Sequence, residues 1–120
     1  MCQSEAIVIL NEVYQRCHSV FSSGLRKAYL YGSYARGDFD NESDVDILLT
    51  VDLEPADISH YRNQVAAISS DLSLEHDVTV SITIKSFDHF HRYSSVLPFY
   101  KNVLTEGIRY PTRIDTLEDS

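Results

Sequence analysis

The chain has 120 residues, 43% of them hydrophobic and 23% charged, which supplies one real core and leaves no length for a second domain of ordinary size. Eighteen acidic against ten basic residues give a net charge of −8, which argues against nucleic acid as the main partner but tolerates a nucleotide neutralised by metal. Two cysteines, Cys2 and Cys17, are too few for a disulfide framework, and no stretch reaches the length of a bilayer span; a cytoplasmic protein without membrane contact is expected.

From Ser4 to about Phe21, apolar residues at Ala6, Leu10, Val13, Cys17 and Phe21 form a helical stripe. After the break at Ser22-Ser23-Gly24, Leu25 to Tyr31 reads as a first strand. Gly32-Ser33 stops it, and Ser33-Tyr34-Ala35-Arg36 reads as a helical turn with Ser33 near its N-cap. Polar residues 38–43 lead to Asp44-Val45-Asp46-Ile47-Leu48-Leu49-Thr50-Val51, a mostly buried second strand opened by two acids. Pro55 starts a helix whose stripe is Ile58, Tyr61, Val65, Ile68 and Leu72. Strict alternation over Asp77 to Lys85 predicts a third strand, with Val78, Val80, Ile82 and Ile84 on its dry face and Asp77 heading its polar face.

Ser86 is placed to cap a short helix reaching Tyr93, Pro98 starts another that stops at Gly107, and Ile108 to Tyr110 fits an edge strand. Within Val96-Leu97-Pro98-Phe99-Tyr100, the helical stripe is expected to be core. Residues 1–111 form the expected domain and 112–120 an acidic tail. The alternation of elements predicts an α/β (α+β) fold with a small mixed sheet flanked by helices.

Asp44 and Asp46 stand two residues apart on a strand, so their side chains leave one face with Cα atoms roughly 6.5 Å apart. Two such carboxylates suit a hard cation that keeps waters and shares its shell with substrate phosphates. A pair of ions about 3.5–4 Å apart clamps in-line attack on phosphorus. Gly32 and Ser33 stand where a strand turns into a helix, so backbone N–H groups and a hydroxyl face a potential phosphate, with Arg36 one turn on to neutralise it or pair with a local acid. Asp77 can join the first two acids if the third strand lies beside the second, ligating metal and accepting the acceptor hydroxyl's proton. A calcium loop over Asp38 to Leu49 is excluded by Ser43 and Leu49 where glycine and glutamate are required.

The string GSYARGDFDNESDVDILL, Gly32 to Leu49, resembles the signature of the DNA polymerase beta superfamily, above all its minimal nucleotidyltransferases, at Gly32, Ser33, Arg36, Gly37, Ser43, Asp44 and Asp46. The family's third carboxylate sits on a later strand, and Asp77 in HDVTVSI looks like it. PFYKNVLTEGI, Pro98 to Ile108, is similar to a C-terminal segment of some bacterial members. The resemblance implies the polymerase-beta-like nucleotidyltransferase fold and transfer of a nucleoside monophosphate, AMP from ATP, to a hydroxyl acceptor with release of pyrophosphate. It also implies two Mg2+ ions with the bound NTP. In two-component bacterial systems of this kind the acceptor is often a tyrosine of a HEPN-type toxin, so a second protein chain is the expected partner. The alternative is a non-catalytic, nucleotide-binding antitoxin or assembly module that neutralises such a partner by binding; the full set of acids favours the enzyme.

Overall fold

The computed structural model describes residues 2–110, and the acidic tail expected over 112–120 lies outside them. The order of elements is α1 (Gln3–Phe21), β1 (Leu25–Tyr31), α2 (Ser33–Arg36), β2 (Val45–Val51), α3 (Pro55–Ile58), α4 (Arg62–His76), β3 (Val80–Ser86), α5 (Phe87–Tyr93), α6 (Pro98–Glu106) and β4 (Ile108–Tyr110). The strands form one sheet in the order β3-β2-β1-β4. β1 runs antiparallel to both β2 and β4, while β2 and β3 are parallel, so the sheet is mixed as expected.

Because β2 is central, both of its faces need cover, and its composition follows from that. Val45, Ile47, Leu49 and Val51 point into a core shared with Ala6, Ile9, Leu10, Val13 and Cys17 of α1 and with Val65 and Leu72 of α4. Leu48, on the opposite face, packs with Tyr29 of β1, Phe90 of α5 and Tyr100 and Val103 of α6. Asp46 shares the parity of Leu48 and therefore lies on this second face, at the end that α5 and α6 leave less covered.

Several expectations shift. The helix opened by Pro55 is not continuous: α3 gives way to a 3-10 turn, Ser59–Tyr61, before α4 begins. The third strand starts at Val80 rather than Asp77. Asp77 is the left-handed residue that ends α4 (φ 51°, ψ 49°), and its N–H bonds Ser73 O. Ser73 also accepts Val80 N at 2.9 Å, and the Ser69 hydroxyl donates to Val80 O, so the helix end and the strand start are joined by serines. Of the segment expected to be core, Tyr100 is buried, whereas Val96, Leu97 and Phe99 are exposed. Ser86 does cap α5, its hydroxyl accepting His89 N. Among the described residues no helix is long and apolar enough to cross a membrane.

Candidate active site

β1 ends at Gly32, whose φ of +78° and ψ of −155° turn the chain sharply into α2. Gly32 O receives both Ala35 N and Arg36 N at 3.1 Å, so the helical turn is closed by backbone bonds with Gly32 as its N-cap and Ser33 as its first residue. The first N–H groups of such a turn have no acceptor within the helix. Ser33 is half-buried, and its hydroxyl has no partner among the described residues. Gly37, at φ +90°, ends the turn.

The loop after it is knotted by Asp40 and Ser43. Asp40 N donates to Ser43 Oγ at 2.9 Å, and Glu42 N donates to Asp40 Oδ1 at 2.9 Å. This positions Asp44 at the mouth of β2, where Val45 N is anchored to Thr79 O at 2.8 Å. Asp44 is exposed and Asp46 half-buried. Burial, then the nearby charge of Asp44, push the Asp46 carboxyl above its usual range, with Arg36 pulling the other way. A Cβ built on Gly32 would meet Asp46 Oδ2, so the turn and the second acid touch. Gly32, Ser33, Asp44 and Asp46 are thus brought to one end of the sheet.

Arg36 is engaged locally, its Nε at 3.1 Å from Asp38 Oδ2 and its Nη1 at 3.5 Å from Glu106 Oε2. Asp77 shares a cleft of about 380 Å³ with Asp44, lined also by Asn41, Glu42, Ser43 and Thr79; Asp46 does not line it. The residue that faces Asp46 across the β2–β3 ladder is Ser81. Among the described residues, no three His, Cys, Asp or Glu side chains assemble as a metal-ligand group. Glu75, the neighbouring acid, is turned away and bound to Arg16 at 2.8 Å, a contact that holds its carboxyl below the usual range. Tyr34, next to Ser33, is buried and stacked on Phe39 with centroids 4.4 Å apart.

Sequence reasoning missed a second cavity beside the turn. About 250 Å³ in volume, it is lined by Tyr31, Gly32, Arg36, Phe99, Asn102, Val103 and Glu106. Strand parity, which puts Tyr31 on the face of Asp46, was the available signal; the contribution of α6 required its packing.

The family described as polymerase beta nucleotidyltransferase matches residues 15–108, which span the turn, both acids and β3. The chain belongs to this nucleotidyltransferase family. The nucleotidyltransferase is 36% identical over 77 residues to "Putative protein adenylyltransferase MJ0141" of Methanocaldococcus jannaschii, covering 64% of this chain and 76% of the relative. It is 31% identical over 98 residues to "Putative protein adenylyltransferase MJ0604" of the same organism, covering 82% of this chain and 90% of the relative. Among solved structures, a toxin–antitoxin with AMP-PNP superposes with a TM-score of 0.54 at 21% identity, over 89% of this chain and 77% of that one. A mutant of the toxin–antitoxin MntA-HpeT gives a TM-score of 0.51 at 18% identity, over 98% and 80% of the two chains. At these identities the structures establish a common fold.

Proposed function

We propose that this nucleotidyltransferase moves AMP from ATP to a hydroxyl of a second protein chain, a tyrosine of a HEPN-type partner in a toxin–antitoxin pair. The observation that carries the proposal is the contact between Gly32 of the turn and Asp46, whose carboxyl also feels the charge of Asp44. Relatives described as protein adenylyltransferases and a toxin–antitoxin fold neighbour with AMP-PNP support the choice of nucleotide and of acceptor class.

The donor set fits magnesium. An exposed and a half-buried carboxylate repel one another, and Arg36 is held by Asp38 and Glu106, so among the described residues the pair has no hydrogen-bonded cation of its own. Two carboxylates with triphosphate oxygens and water suit hard divalent ions, and two Mg2+ held this way would supply charge neutralisation along the phosphates. Gly32 and Ser33 bind phosphate through N–H groups and a hydroxyl, and Arg36 lends positive charge at the rim. Asp44 and Asp46 orient the α-phosphate. The acceptor oxygen attacks the α-phosphorus from the cleft that Asp44 shares with Asp77, the bond to the bridging oxygen breaks, and pyrophosphate leaves. Asp77 takes the hydroxyl proton across that cleft.

A second reading has two observations in its favour: Ser81, not an acid, faces Asp46, and Asp77 stands at a helix end. On that reading the domain holds a nucleotide and neutralises its partner by binding alone. Intact-mass measurement of a HEPN-type partner after incubation with this protein, ATP and Mg2+ separates the two. Gain of one AMP on the partner supports transfer, and tight binding with unchanged mass supports the second reading.

A further inference from the structure

We infer that the cavity between β1 and α6 receives the adenine base of the nucleotide, with Phe99 as its stacking platform and Asn102 as the residue that selects adenine; this rests on the reading of the Gly32–Ser33 turn as the triphosphate site. The cavity begins at the turn itself, since Gly32 and Arg36 form part of its wall. The cavity thus adjoins the turn on which the triphosphate is placed, and its other wall is α6. The volume of about 250 Å³ lies below the range of roughly 300–1,000 Å³ that encloses a whole drug-sized ligand, which suits one base rather than a complete nucleotide.

The way α6 is mounted explains the lining. Tyr100 and Val103 are buried against the sheet, and Tyr100 is fixed by Phe90 at 4.8 Å between centroids and by a 3.0 Å contact of its hydroxyl with His89 Nδ1. With those residues inward, Phe99, Asn102 and Glu106 follow at three- and four-residue steps along the adjoining face, the one beside Gly32. Phe99 stays 41% exposed and meets Tyr31 edge-on, with centroids 5.4 Å apart and planes at 78°. A partly exposed aromatic ring beside a phosphate turn can serve as a stacking surface for a base. The Arg36–Glu106 ion pair at 3.5 Å links the turn to α6 along the cavity wall.

Asn102 is exposed on the same wall, and its side-chain amide has no hydrogen-bond partner among the described residues. An amide offers one acceptor and one donor, the complement of adenine N6 and N7, whereas guanine presents two acceptors there. Adenine is thereby favoured over guanine.

The test is calorimetry on the full chain with Mg2+, using ATP, GTP and inorganic tripolyphosphate as probes. Phe99→Ala should weaken ATP about tenfold and leave tripolyphosphate unchanged, since only the base stacks on the ring. Asn102→Ala should narrow the ATP over GTP preference by about fivefold or more. Leu104→Ala, exposed on α6 but outside the cavity, should change none of the three. If wild-type protein binds ATP no better than tripolyphosphate, or if Phe99→Ala weakens both equally, the base does not lie here and the inference fails while the phosphate site stands. If neither ATP nor tripolyphosphate binds, the phosphate site fails and the inference with it.

Discussion

Gly32 and Asp46 are in such close contact that a Cβ on the glycine would lie 2.7 Å from Asp46 Oδ2. The same glycine sits at φ +78°, a region other residues enter only with strain. Gly32→Ala therefore either displaces the second acid or distorts the turn. The expected result is a fall in transfer of at least about a hundredfold, the usual order for a misplaced reacting geometry, with a loss of stability of about 1–3 kcal/mol. Single-turnover kinetics and thermal melts check it; full activity in the alanine variant would separate the turn from the chemistry.

Magnesium should decide whether Asp46 helps or harms the fold. Its folded carboxyl is raised by burial and by Asp44, so ionisation is less favourable in the folded than in the unfolded chain. That cost is present above the folded pKa and disappears as pH falls below the unfolded value. Asp46→Asn is accordingly expected to raise the melting temperature of the metal-free protein at neutral pH and to leave it little changed in acid, while abolishing the rise that MgATP produces in the wild type. Melting curves across pH, with and without MgATP, test this. A variant less stable than wild type at neutral pH would make Asp46 a structural acid.

Asp77 and Ser81 compete for the role beside the acceptor. Asp77 shares the cleft of Asp44, while Ser81 faces Asp46 across the ladder. Asp77→Asn is expected to lower kcat by about a hundredfold or more with little change in ATP affinity, the mark of an interaction confined to the attacking group. Ser81→Ala should keep most of the turnover, and Glu75→Gln, whose partner is Arg16, should keep all of it. Greater loss from Ser81→Ala than from Asp77→Asn would move the acceptor to the β3 face.

ATP affinity should depend on divalent cation. Two carboxylates without a bound cation repel a triphosphate, so chelation should weaken ATP by at least about tenfold in calorimetry, the direction that the local charge requires. Equal affinity in chelator would leave Gly32, Ser33 and Arg36 as the whole phosphate site.

Local chemistry was legible wherever neighbours in sequence decide the structure. Gly32 stops β1, Ser86 caps α5 and Pro98 opens α6, each through its own backbone or hydroxyl preference. The short spacing of Asp44 and Asp46 brings them near enough for the charge of Asp44 to act on the Asp46 carboxyl. Strand alternation misled at Asp77, because a left-handed helix end can hold a residue whose position in the polar-apolar pattern is that of a strand. The cavity beside Gly32 was invisible because it is made by Tyr31 and Phe99, which only the packing of α6 on the sheet brings together.

AMP transfer from the Asp44/Asp46 site to a partner protein is tested most directly by the intact mass of a HEPN-type partner incubated with ATP, Mg2+ and either the wild-type protein or Asp44→Asn/Asp46→Asn. The predicted result is a partner heavier by one AMP per modified tyrosine with the wild type, and an unchanged partner with the double variant. An unchanged partner in both, bound and silenced equally well by either protein, would contradict it.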